Sequence, residues 1–208
     1  MRKLPSYYEN PFDNILINIC DYWCPYFHKL GFTPNILTTI SLLFCVVTVI
    51  LLLNSYFYLA AAFFIISYFF DCIDGHFARK YNQVTKFGDY YDHIADVIKI
   101  ISVIYTLYYI NSKIMTFLII PMIILLFFTS MHMGCQEKYY NKNESYTLSI
   151  TKMLCPNNKY NLLNITRFFG CGTFMLFITI IIIYYGICNK YRIIRRTPLF
   201  TRDSNVER

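Results

Sequence analysis

Four carboxylates, Asp71, Asp74, Asp92 and Asp96, lie in the stretch DCIDGHFARKYNQVTKFGDYYDHIAD, between blocks that are strongly apolar. An Asp at mid-bilayer costs roughly 3 kcal/mol on the insertion scale, so acids kept beside such blocks mark a functional site. Asp71 and Asp74 are three residues apart and Asp92 and Asp96 four apart, so on helices each pair projects from a single face. Gly88 continues the second stripe, while Gly75 and Ala78 are small enough to admit a neighbouring helix or a ligand. No Cys or His cluster at zinc spacing accompanies the acids, and an all-oxygen set suits Mg²⁺ or Mn²⁺. Four carboxylates exceed what one such ion usually needs, whereas two ions clamping a phosphoryl group use all of them. Arg79, Lys80 and Lys86 stand where a diphosphate needs balancing charge. A merely solvated turn between two spans gives no reason for acids on matching faces of both helices. Asp89 is expected to be a polar residue at the membrane boundary, and His76 and His93 to be hydrogen-bonding partners.

Positioning these residues requires membrane helices. The chain of 208 residues is 56% hydrophobic and 19% aromatic with 15% charged residues, and its apolar residues come in long blocks. Asn35 to Leu53 is almost uninterruptedly apolar and reaches the roughly 20 residues a span requires, with Pro34 at its start. Asn54 to Tyr56 make a tight connection to a second span, Phe57 to Phe70, which continues through the first two acids to Arg79. A third block, His93 to Ile110, follows the motif, a fourth runs from Ile114 to Met133, and a fifth from Phe168 to Cys188. The reading is an all-α, polytopic transmembrane bundle of five clear spans, with an interfacial segment over 1–34, a catalytic domain over 35–188 and a basic tail over 189–208.

Pro11 to Gly31 places Phe12, Ile15, Leu16, Ile19, Trp23 and Tyr26 at mostly helical spacing. That predicts an amphipathic helix lying in the interface, or a surface helix packed on the bundle. The eight cysteines are scattered without a CxxC pair, and several fall inside apolar runs. They read as small buried apolar residues, not as a disulfide frame or a zinc site. Residues 135–161 form a polar loop long enough to cover a site, and its sequons at Asn143 and Asn164 are chance matches if it is cytoplasmic. The net charge of +7 comes from residues flanking apolar blocks, which excludes a nucleic-acid stripe and fits membrane-surface anchoring. The N-terminus lacks the pattern of a cleaved signal peptide. The Lys and Arg bias predicts a cytoplasmic face for the motif, although five spans then put the basic tail on the other side, against the same rule.

The spacing Asp71-x2-Asp74-Gly75-x2-Ala78-Arg79-x8-Gly88-x3-Asp92-x3-Asp96 resembles the class-I CDP-alcohol phosphatidyltransferase signature at every fixed position. Thr33-Pro34-Asn35 and Thr38 extend the likeness. The resemblance implies that Asp71, Asp74 and Asp92 hold two divalent ions, Mg²⁺ or Mn²⁺. Asp96 would act as general base on the acceptor hydroxyl while also touching a metal. Gly75, Arg79 and Thr85 would contact the CDP moiety, with Asn35 and Thr38 completing its pocket. The acceptor oxygen would attack the phosphorus remote from cytidine, and CMP would leave. The family usually has six spans, one more than counted here. It also implies a homodimer, a CDP-linked donor, and an endoplasmic-reticulum-type membrane in a eukaryote.

The acceptor is left between two chemistries. DGHFAR followed by NQVTKFG is similar to phosphatidylinositol synthases, which points to CDP-diacylglycerol and inositol. Asp92-His93 is similar to the choline and ethanolamine phosphotransferases, which use a CDP-alcohol and diacylglycerol. A small cation transporter is the rival outside enzymes, but transporters usually place acids near mid-membrane and often carry repeats, and no repeat is visible here.

Overall fold

The computed structural model of the chain describes residues 4–139, 147–156 and 162–196, the side chains of 147–150 and 191–196 excepted. Its long helices are α1 (Pro11–Lys29), α2 (Pro34–Leu53), α3 (Phe57–Lys80), α4 (Lys86–Ile110) and α5 (Ser112–Tyr139). A 3₁₀ segment (Thr147–Leu154), the short α6 (Leu162–Thr166), a 3₁₀ turn (Arg167–Phe169) and α7 (Cys171–Arg196) follow. Among the described residues five helical stretches are long and apolar enough to cross a membrane, and α1 is not one of them.

Local chemistry sets the starts. The Asn10 side chain accepts from the backbone N–H of Phe12 at 3.0 Å, and Pro11 occupies the first helical position of α1. Thr33 and Pro34 repeat that arrangement for α2, and Thr85 caps α4 by accepting from Gly88 N–H at 3.0 Å. Between α4 and α5 a single residue, Asn111, caps the helix that follows through Ile114 N–H.

α3 is the centre of the bundle, packed against α1, α2 and α7. α2 and α3 approach closely through small residues, for Ser41 Oγ donates to Ser67 O at 2.9 Å and Ser67 Oγ returns the bond to Ser41 O at 2.8 Å. Below that contact Phe57, Phe64 and Tyr68 meet Phe174, Ile178 and Ile182 of α7 in the main apolar core. Phe117, Ile120, Ile123 and Phe127 of α5 point outward, as a lipid-facing span requires.

Helix α1 packs on the bundle as a surface helix. Leu16, Ile17, Cys20 and Cys24 are buried against the bundle, while Ile15, Ile19, Trp23 and Tyr26 are exposed and form an apolar, aromatic surface. Leu16, grouped by spacing with the outward residues, turns inward instead. The α7 N-terminus lies beside Asn10 and Asp13, and Tyr185 near its other end donates to Asn111 O at 3.0 Å. α7 therefore crosses from the acid-bearing end to the far end of the bundle, so the segment leading to the tail starts on the opposite side.

Two expectations are corrected. The polar loop does not begin at Cys135, because α5 continues to Tyr139. The cysteines are also not all isolated apolar residues, because Cys135 and Cys155 form a disulfide. The extra helical turn carries Cys135 beside the end of the 3₁₀ segment, which lies so close that a Cβ on Gly134 would come within 1.9 Å of Thr151 O. Cys20, Cys24 and Cys45 are buried free thiols, as expected. The Asn143 sequon lies outside the described residues. The Asn164 sequon falls on α6, where Thr166 is buried and accepts from His132 Nδ1 at 3.0 Å.

Candidate active site

A cavity of about 260 Å³ opens where the start of α2, the end of α3 and the start of α4 meet α1 and the N-terminus of α7. Asn35, Thr38, Asp71, Asp74, Gly75, Arg79, Thr85, Asp92 and Asp96 line it, whereas Lys80 and Lys86, expected beside them to balance a diphosphate, do not, and Lys80 Nζ instead donates to Asp21 Oδ1 at 3.2 Å. The turn at 81–85 reverses the chain and α4 packs against α2, so that the two acid stripes, each on one helical face, meet across the cavity.

Asp71, Asp74 and Asp92 each offer an oxygen within 4.8 Å of the others. Thr38 Oγ1 donates to Asp74 Oδ2 at 2.5 Å and fixes that carboxylate from α2. Asp92 Oδ1 is buried without a hydrogen-bond partner among the described residues. A buried, unsatisfied carboxylate oxygen is costly unless something else ligates it. Three converging carboxylates with one such oxygen fit a hard divalent cation.

Asp96 is not one of the three but lies against Asp71, and its Oδ1, ion-paired as it is, is likewise buried without a hydrogen-bond partner among the described residues. The Lys99 ammonium, one turn further along α4, pairs with Asp96 Oδ1 at 2.8 Å, with Asp71 Oδ1, and donates to Ser41 Oγ at 3.0 Å. α2 and α4 meet at Gly88 on the cavity wall, where a Cβ would lie 3.0 Å from Thr85 Oγ1 and 3.2 Å from Asn35 Oδ1. The Arg79 guanidinium lies over Gly75 on the cavity wall, 3.3 Å from where a Cβ would stand.

The CDP-alcohol phosphatidyltransferase family profile matches residues 32–193, from the turn before α2 to near the end of α7. This chain belongs to that family. No curated protein and no solved structure matches it. As a CDP-alcohol phosphatidyltransferase it is a multi-pass membrane phosphotransferase of phospholipid biosynthesis, transferring a phosphatidyl group from a CDP-alcohol to an alcohol. The family is generally metal-dependent, and its metal has a candidate seat in the Asp trio.

In this transferase the remaining cavity wall comes from parts of the chain without a motif. Glu9 and Asp13 of the N-terminal region, Met133 of α5 and Cys171 of α7 all line it. Asp13 Oδ1 accepts from Tyr68 Oη at 2.5 Å and Oδ2 from Gly172 N–H at 3.1 Å. Burial pushes the Asp13 carboxyl up to about 6 despite those two bonds. The histidines behave as expected. His76 Nε2 donates to Asp21 Oδ1 at 2.7 Å, tying α3 to α1, and His93 Nδ1 donates to Asp89 O at 2.8 Å. Burial raises the Asp21 carboxyl, but His76 and Lys80 override it and leave the group below its usual range. Asp89 lines the cavity beside His93, so it is not simply a boundary residue.

Lys99 was not singled out by the sequence reading. The signal was available, since a lysine inside an apolar helix, three residues from an acid and on the same face, needs a partner. Asp13 and Glu9 carried no comparable signal, because they reach the site only through tertiary contacts.

Proposed function

We propose that this enzyme transfers the phosphatidyl group of CDP-diacylglycerol to inositol, with release of CMP, at the cavity between α2, α3 and α4. The observation that carries the metal-dependent reading is the Asp71–Asp74–Asp92 trio with its unsatisfied Asp92 oxygen. These three side chains would hold Mg²⁺ or Mn²⁺. When bound, such an ion neutralises phosphate charge and polarises the phosphoryl oxygens. The trio accounts for one ion, and the two-ion arrangement expected from four carboxylates requires Asp71 and Asp96 to be open to a second cation.

The protein's own part in the step is positioning and proton transfer. Arg79 balances charge on the diphosphate, while Gly75, Asn35, Thr38 and Thr85 shape the cytidine-diphosphate cradle. Asp96, paired with the Lys99 ammonium, takes the proton from the acceptor hydroxyl. The acceptor oxygen then bonds to the phosphorus remote from cytidine as the bond to CMP breaks. The catalytic domain is residues 35–188, with the segment 1–34 as interfacial support and 189–208 as a basic tail. Inositol is favoured because NQVTKFG after DGHFAR is similar to phosphatidylinositol synthases, whereas the Asp92-His93 pair favours the choline and ethanolamine type. A homodimer rests on the family likeness alone.

The test follows CMP release by the detergent-purified chain with Mg²⁺. CDP-diacylglycerol with inositol is expected to be the productive pair in a panel of alcohols. Release only from CDP-choline or CDP-ethanolamine with diacylglycerol would establish the second reading, and no release with any pair would refute both. The cation bias supports a cytoplasmic site face, in which case reducing conditions in the cell keep Cys135 and Cys155 open. Acid-quenching intact cells and alkylating after denaturation is then expected to label both thiols, and a bond already closed at that stage would contradict the orientation.

A further inference from the structure

The cavity has two ends. The turn at 81–85 closes one, where Gly75, Arg79 and Thr85 line the wall. Eleven residues separate Tyr68 from Arg79 along α3, and eleven separate Thr85 from Asp96 along α4, about 16 Å in each case at the rise of an α-helix. Tyr68 and Asp96 therefore belong to the other end, deeper in the bundle. Under the transfer reading the diphosphate lies toward Arg79 and Asp96 takes the proton. The acceptor alcohol then has to bring its hydroxyl to Asp96 from the deep end, where Asp13, Cys72 and Cys171 line the cavity with Tyr68.

Asp13 is the polar group built into that end. It is 9% exposed, and it accepts from Tyr68 Oη at 2.5 Å and from Gly172 N–H at 3.1 Å, so α3 and α7 hold it in place. A carboxylate has about four acceptor positions, so about two remain for hydroxyls in the cavity. Burial outweighs both bonds and sets the Asp13 carboxyl at about 6, which leaves it an anion at neutral pH. Among the described residues no cation at this end balances it. Arg79 is the only lysine or arginine among those lining the cavity, and it stands at the opposite end. Lys99 is 3% exposed and is committed to Asp71, Asp96 and Ser41. Arg167, in the turn before α7, is held elsewhere, donating to Tyr7 O and lying 4.8 Å from the centre of the Phe168 ring.

We infer that Asp13 selects the acceptor: it takes hydrogen bonds from the hydroxyls of an unphosphorylated alcohol and turns away an alcohol that carries a phosphate. The inference rests on the transfer reading, with Asp96 as base. A free polyol supplies donors to the open positions on the Asp13 carboxylate. A phosphate at the same place would meet a fixed negative charge with no lysine or arginine beside it, and like charges so placed discriminate strongly between partners. Asp13 is thereby a specificity-determining residue supplied from outside the acid motif.

The test compares each alcohol with its own phosphate ester in the CMP-release assay, inositol against inositol 1-phosphate and glycerol against glycerol 3-phosphate, with CDP-diacylglycerol and Mg²⁺. The free alcohol is expected to exceed its phosphate in kcat/KM by about 100-fold or more. Asp13→Asn, which keeps the side-chain volume and removes the charge, is expected to raise KM for the free alcohol by about 10–100-fold and to narrow the preference. The donor KM and Mn²⁺ affinity of the same variant are expected to hold, whereas a general loosening of the α1–α7 contact would move all three. Comparable use of a free alcohol and its phosphate by the wild type would overturn the inference while leaving the transfer reading intact, and so would a folded Asp13→Asn with wild-type acceptor KM. No CMP release with either member of any pair would instead remove the reading of CDP-diacylglycerol as donor, and this inference with it. If Asp13→Asn does not fold, the wild-type preference decides.

Discussion

Helices α2 to α4 and the shell made by α1, α5 and α7 reach the same cavity by different routes. In α2–α4 the site residues arrive by helical periodicity and two short turns, so neighbours in sequence are neighbours in space. The shell arrives by long-range ties. Asn10 Nδ2 donates to Arg167 O at 2.7 Å and to Thr173 Oγ1 at 2.8 Å, and Asp13 joins Tyr68 to Gly172. The first sector supplies reacting and ligating groups, and the second supplies a wall. Changes in the first should therefore damage chemistry with little loss of fold, and changes in the second should do the reverse.

The largest separation is expected at Asp96. Asp96→Asn removes the proposed base and leaves the trio intact, so turnover should fall by about 10²–10⁴-fold while CDP binding persists. Single-turnover CMP release alongside a CDP-binding measurement checks both halves, and a near-normal rate would remove Asp96 from the role of base.

Thr38→Val tests a residue one step removed. Losing the bond to Asp74 should weaken Mn²⁺ binding by about 10–100-fold, the usual scale for a side chain that orients a ligand, with a small change in melting temperature. A large drop in melting temperature with unchanged Mn²⁺ affinity would blur the division between the two sectors.

The wall should respond in the opposite way. A Cβ on Gly172 would stand 2.2 Å from Asp13 Oδ1, so Gly172→Ala forces α1 and α7 apart at a cost of about 1–3 kcal/mol. Thermal unfolding should show that loss, with Mn²⁺ affinity nearly unchanged in the protein that remains folded. Loss of metal binding at full stability would show that the wall sets the acid geometry after all.

The same division explains what was legible in the sequence. The spans and the acid stripes were readable because helix length, apolar content and three- and four-residue spacing are local properties. The capping residues Thr33 and Thr85 and the turn at Asn54–Tyr56 belong to that level. The Cys135–Cys155 bond was not legible, since it depends on α5 outlasting its apolar block to bring two distant thiols together. Asp13 and Glu9 were hidden for a related reason, as nothing near them in sequence says which way the face of α1 turns. Lys99 lies between these cases. Its spacing from Asp96 was local, but its bonds to Asp71 and Ser41 exist only once three helices have met.

The central claim is that acids from α3 and α4 together form the metal seat on which transfer depends. Asp92→Asn probes it most directly, because Asp92 is the α4 member of the trio and carries the unsatisfied buried oxygen. Mn²⁺ titration and CMP release on the same purified preparation should both collapse relative to the wild type while the melting temperature holds. Wild-type Mn²⁺ affinity together with wild-type CMP release in Asp92→Asn would contradict the account.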